Sequence, residues 1–300
     1  MRVPGKALSL ALGAGTLLIS GALQAETRIV TSIKPVELIV SAIATEDMQT
    51  TSLVPPGSSP HNYNMKPSQR RALENADVIF WVGPDMETFL NRLLAGPEFS
   101  NRTVALMDAE QESGEDTHDE HGHGDGEDPH IWLDPELAIE MAETIREALS
   151  AQEGVDAAAL NENFEQFKVS VRETDASIRD RLAPAHDISL FAYHDAFTRF
   201  AEHYGLKLEG VLTLNPELSP GARHIAEVQE KLRNANHPCL LTEPQFNRQW
   251  WRSITENLDV TFSTWDPLAT DIEATPEGYN NFQQSIVDAV LKCLPEDTEH

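Results

Sequence analysis

The chain has little positive charge and little cysteine. Against 49 acidic residues stand only 22 Lys and Arg, for a formal net charge of −27 over 300 residues. Sequence-independent nucleic-acid binding needs a basic face, so this balance excludes it, and it disfavours docking on anionic lipid for the same reason. What such a field suits is a cationic ligand. No H-E-x-x-H helix occurs, which removes the commonest sequence signature of a zinc hydrolase. Beyond residues 7–23 no run is long and apolar enough to span a bilayer. The two cysteines, Cys239 and Cys293, are too few for a disulfide scaffold or a cysteine-based metal site.

What is present begins with a targeting pattern. Arg2 and Lys6 precede the small, apolar stretch Ala7–Leu23, and polar sequence starts at Glu26. This reads as a secretory signal peptide over residues 1–25, with Ala25 the preferred cleavage point and Ala22 the second. Its removal takes away two basic residues and no acid, which lowers the charge from −27 to −29. An exported chain lies in an oxidising compartment, where an even pair of cysteines reads as a disulfide; two buried free thiols are the alternative. Hydrophobic residues at 40% are enough to bury real cores.

The remaining chain alternates short apolar runs with helical patterns. Strands are expected at 28–33, 51–54, 77–82 and 103–107, with helices at 35–44, 68–75 (capped by Ser68) and 86–94. The order repeats after residue 188, ending in a helix over 279–294. This βα alternation predicts an α/β protein with mostly parallel sheets flanked by helices. Between the two blocks, Leu160, Phe164, Phe167, Val171, Ile178 and Leu182 fall on one helical face, ended by Pro184. The resulting helix of about 28 residues would be about 42 Å long. The domain plan is an N-terminal lobe over 26–153, a rigid connecting helix over 154–183 and a C-terminal lobe over 184–300.

Histidine carries the chemistry. Residues 110–128 hold nine acids, the three histidines His118, His121 and His123, four Gly and no base. Such a tract cannot bury a core and is expected to be an auxiliary metal-attracting loop. Three other histidines follow or precede ordered elements at strand ends: His61 in VPPGSSPHNYNMKPS, His130 in EDPHIWLDPE and His194 in FAYHDAF. Asp266 in STWDPL occupies a similar place. Strand C-termini form the mouth of the crevice in an open α/β sheet. Three neutral imidazoles and one oxygen make a tetrahedral zinc shell. Asp128, Asp134, Asp195 and Glu243 are candidates for orienting those imidazoles, and Tyr63 and Trp132 for packing around them. His203, His224 and His237 read as structural.

The phrases VTSIKPVELIVSAI, LVPPGSSPHNYNMKPS, ADVIFWVGPDMETFL, DPHIWLDP, FAYHDAF, EPQF and DPL occur in this order. Together they closely resemble the ZnuA-type zinc-binding proteins of bacterial ABC importers, a branch of the metal-binding family with a helical backbone. The resemblance implies two α/β lobes joined by a long helix with the metal in the cleft between them. It implies His61, His130 and His194 as Zn2+ ligands, and a Cys239–Cys293 bridge like that of Gram-negative members. Relatives that carry manganese or iron commonly have a carboxylate at the third position, so His194 favours zinc. Some zinc members have Glu just before the first histidine; here Pro60 stands there, which leaves the fourth position to Asp266 or water. The implied role is a non-enzymatic, monomeric, periplasmic zinc receptor. Its implied partners are an inner-membrane ABC permease with a cytoplasmic ATPase, and a periplasmic zinc chaperone is a further candidate. A three-histidine zinc hydrolase and a periplasmic zinc buffer are the competing readings.

Overall fold

A computed structural model describes residues 26–107, 127–213, 220–246 and 254–295. The expected signal peptide, nearly all of the acidic tract with His118, His121 and His123, and the first half of a helix expected over 249–258 lie outside the described residues.

The first half contains strands β1 (Thr27–Thr31), β2 (Met48–Ser52), β3 (Val78–Trp81) and β4 (Thr103–Ala105). They form an all-parallel sheet in the order β2-β1-β3-β4. The second half contains β5 (Leu190–His194), β6 (Leu208–Thr213), β7 (Cys239–Thr242) and β8 (Thr261–Thr264). They pair in parallel in the equivalent order β6-β5-β7-β8. Parallel strands buried on both faces should read as unbroken apolar runs. Val78-Ile-Phe-Trp81 and Cys239-Leu-Leu-Thr242 do so, and both are buried throughout.

The helices are α1 (Lys34–Ile43), α2 (Pro67–Asn75), α3 (Asn91–Leu94), α4 (Pro135–Ser150), α5 (Ala157–Leu182), α6 (Thr198–Tyr204), α7 (Ala222–Asn234) and α8 (Gly278–Leu291). Helix α5 has 26 residues, and Asp156 caps it by accepting from the Ala158 and Ala159 N–H groups. The six apolar residues that defined its face are the six that it buries. Each such burial is worth about 1.5–3 kcal/mol. This face packs on α4, α1 and α8.

Two starts differ from expectation. Helix α2 begins at Pro67, not after a Ser68 cap, because proline is pre-set for the first helical position. The Arg70 N–H, one that a Ser68 cap would serve, already donates to the Lys66 carbonyl, and the Gln69 side chain reaches back to accept from the Lys66 N–H at 2.7 Å. Helix α3 covers only 91–94 of the expected 86–94. Upstream, the buried Glu87 carboxylate accepts from the Val82 and Gly83 N–H groups at 3.2 and 3.0 Å, which holds that stretch as turns.

The two halves share a core. One buried cluster runs from Ile29 and Val36 through α5 to Phe197, Trp265 and Val290. Helix α8 belongs to the C-terminal sequence yet packs against α1 as well as α5. Its first residue, Gly278, meets the Glu273 carbonyl so closely that a Cβ there would lie 2.6 Å from that oxygen. Trp132 Nε1 donates to the Pro267 carbonyl at 2.8 Å, and Tyr279 Oη donates to the Trp132 carbonyl at 3.0 Å. No described helix is long and apolar enough to cross a membrane.

Cys239, the first residue of β7, is bonded to Cys293 just past α8, across 54 residues. The bridge therefore fastens the end of α8 to the second sheet. Closing a loop of that length contributes about 4 kcal/mol by chain entropy. The double variant C239S/C293S should unfold at a lower urea midpoint, by about 2–4 kcal/mol of stability, and intact wild-type protein should show no free thiol under non-reducing mass spectrometry.

Candidate metal centre

The three histidines expected at strand ends meet in space. His194 is the last residue of β5. His130 precedes a 3-10 turn, Ile131–Leu133, whose middle residue makes the Trp132 contacts above and which leads into Asp134, the cap of α4 through the Glu136 and Leu137 N–H groups. His61 comes from the loop that leaves β2. Among the described residues these three form the one group of His, Cys, Asp or Glu whose potential ligand atoms all lie within 4.8 Å of one another. Ring centroids are 5.1 to 5.6 Å apart. Ser59, Pro60, Trp132, Gln245, Phe246, Pro267 and Leu268 line the remaining walls. Pro60 is buried there, so the residue that replaces an acid in some relatives contributes apolar wall.

Hydrogen bonds set the ring orientations. Asp128 Oδ1 lies 2.6 Å from His130 Nδ1 and also accepts from the His130 backbone N–H at 3.0 Å. Glu243 Oε1, fully buried, lies 2.8 Å from His194 Nδ1. A carboxylate is an acceptor only, so each of these Nδ1 atoms carries a proton and each ring turns its Nε2 inward. The two Nε2 atoms face each other at 3.3 Å. The edge of a tetrahedron of nitrogens with 2.0–2.1 Å bonds to zinc is about 3.3–3.4 Å, so the spacing suits such an ion.

The third imidazole is tuned differently. Burial, and then the neighbouring His130 and His194 rings, push the His61 pKa down to about 3. At neutral pH it therefore offers a lone pair with no proton to displace.

The other expected residues divide. Of the four candidate orienting acids, Asp128 and Glu243 hold imidazoles. Asp134 caps α4 and pairs with His203 Nδ1 at 3.4 Å, and Asp195 accepts from Thr198 Oγ1 at 2.6 Å. Asp266 is not brought into the cluster. Its carboxylate accepts from the Leu268 and Thr270 N–H groups at 3.0 and 2.7 Å, so it is occupied in forming the turn after β8. Trp132 stands against His130 with ring centroids 5.3 Å apart. Tyr63 instead bonds Gln69 and packs on Phe89. His203 bridges Asp134 and Asp175, and His224 bonds the Val211 carbonyl, both structural as expected. The sequence reading passed over Arg199, which grips Asp128, and Phe246, whose ring lies 5.7 Å from that of His194.

Fold and site together define a two-lobed substrate-binding protein whose cleft presents converging imidazoles to a small cation. The chain belongs to the family described as zinc-uptake complex component A, periplasmic, whose model matches residues 29–293. A high-affinity zinc uptake system protein ZnuA from Yersinia pestis is 31% identical, over 96% of this chain and 98% of its own. A crystal structure of ZnuA superposes with a TM-score of 0.72 at 22% identity, covering 88% of this chain and 99% of the other. The periplasmic zinc binding protein TroA from Treponema pallidum gives 0.72 at 21% identity, with the same coverage.

Two outcomes are expected for the metal-free protein. Long-range 15N NMR should find a proton on Nδ1 of both His130 and His194; a bare Nδ1 at either would contradict the carboxylate pairing. His61 binds a proton near 6.5 when unfolded but only near 3 when folded. Its contribution to stability is thus present above about pH 6.5 and lost as pH falls toward 3. Urea midpoints of wild type should drop over that window more steeply than those of His61→Gln.

Proposed function

We propose that this chain is the periplasmic zinc-capturing component of an ABC importer. His61, His130 and His194 hold Zn2+ in the cleft, and the loaded protein delivers it to an inner-membrane permease driven by a cytoplasmic ATPase. The observation that carries this reading is the convergence of three histidines, with the inward Nε2 atoms of His130 and His194 3.3 Å apart and His61 beside them, its pKa lowered to about 3. Family membership and a relative named for high-affinity zinc uptake support it.

The donor set favours zinc over harder ions. Calcium and magnesium seek oxygen, and the cluster supplies three nitrogens and no carboxylate. Zn2+ exchanges water for imidazole at each nitrogen, and Asp128 and Glu243 strengthen two of those rings as donors. With Asp266 committed to its turn, water fills the fourth position. Binding and release are the whole chemistry, so the protein is not an enzyme. Residues 1–25 direct export and are removed. The acidic tract with His118, His121 and His123 gathers zinc more weakly than the cleft, because ordering a loop around an ion costs entropy. The lobes remain those of the sequence plan, 26–153 and 184–300, with 154–183 between them.

Calorimetric titration of the secreted protein at pH 7 should find one tight zinc site. His61→Ala, His130→Ala and His194→Ala should each weaken it at least a hundredfold while the deletion of 111–127 leaves it intact. A strain lacking the protein should grow poorly only when zinc is scarce. Tight binding that survives all three substitutions, or zinc-dependent hydrolysis of activated esters by the loaded protein, would overturn the proposal.

A further inference from the structure

Asp128 has a demanding position and little backbone to hold it. It orients His130 with its Oδ1 atom, yet residues 127–130 belong to no strand or helix. The chain reaches it directly from the acidic tract. What holds it comes from the other half of the molecule. Arg199 lies on α6, five residues after His194, and its side chain is only 15% exposed. Its Nε donates to the Asp128 carbonyl at 2.8 Å, and Nη2 reaches the same oxygen. Nη2 also donates to Glu127 Oε1 at 3.1 Å, and Nε lies 3.6 Å from Asp128 Oδ2. One planar guanidinium thus holds the backbone of residue 128 and engages the carboxylates of both 127 and 128. Arginine has the fixed fork of donors that this needs, and lysine does not.

We propose that Arg199 is a positioning residue for the metal site: it fixes Asp128, and through Asp128 the imidazole of His130, to the helix that follows His194. This rests on the zinc-binding reading above. Arg199 touches no metal-facing atom. Its role is to keep two ligands from different halves of the chain in register, so that the Nε2 atoms meet without a search.

Two effects oppose one another when Arg199 is removed. Taking a positive charge from the neighbourhood of a cation site would tighten zinc binding by Coulomb attraction. Releasing Asp128 would loosen it, since loss of a group that orients a metal-binding histidine costs about 10–100-fold. The guanidinium is already matched by Glu127 and Asp128, two acids to one base, so its outward field is small and the loss of orientation decides the sign.

The test compares Arg199→Met, Arg199→Lys, Asp128→Ala and the Met/Ala double variant. Arg199→Met should bind zinc about tenfold more weakly than wild type, and Arg199→Lys should fall between them. In the Asp128→Ala background, Arg199→Met should add nothing further. Wild-type or tighter binding by Arg199→Met would overturn the proposal, as would a loss that adds fully to that of Asp128→Ala. If Arg199→Met does not fold, Arg199→Gln takes its place in the same cycle. A readout without metal separates this proposal from the zinc reading. In the metal-free protein, Arg199→Met should speed solvent exchange of the His130 Nδ1–H proton and leave that of His194 unchanged. Equal exchange at His130 in variant and wild type would refute the positioning role even in a protein that bound no zinc.

Discussion

The approach of two imidazole nitrogens from different halves of the chain to 3.3 Å is the constraint around which this structure is arranged. Rotation of either ring is restrained from its far side, where Asp128 holds Nδ1 of His130 and Glu243 holds Nδ1 of His194. Both Nε2 atoms are thereby left facing one small shared space, in which a single cation can meet both at once. Pro60, Trp132, Phe246 and Leu268 wall that space with apolar surface.

Holding such a contact requires that the segments bearing His130 and His194 not drift apart. The packing answers this in layers. Trp132 sits in sequence with the first half but donates to Pro267 of the second and receives Tyr279 on its carbonyl. Helix α8 lies on α1 and α5, and the disulfide fastens its end to β7. The long helix α5 spans the joint with a continuous buried face. These contacts limit the swing of one lobe against the other. His61 is the exception: its loop leaves β2 without regular structure, and its ring makes no hydrogen bond among the described residues to match those of the other two.

Much of this was legible in the sequence for identifiable reasons. Apolar periodicity over 160–182 predicted the buried face of α5 residue by residue, because a helix on a core leaves an unambiguous spacing. Strand-end placement singled out His61, His130 and His194, because parallel sheets gather their C-terminal ends. Less legible were contacts that depend on which way a side chain turns. Asp266 stood at the right end of the right strand, yet its carboxylate went to two backbone amides four residues or fewer away. Glu243 lies 49 residues from the ring it orients, and no local pattern marks such a partner. The start of α2 lies ahead of Ser68 because Pro67 is pre-set for the first helical position.

The crossing of α8 onto α1 also governs how the molecule comes apart. Helix α1 belongs to the first half and α8 to the second, yet the two pack together and share one buried cluster with α5. Loss of α8 therefore uncovers apolar surface in both halves at once. The two halves are bound into one cooperative unit, which melts as a whole instead of shedding one lobe while the other stands.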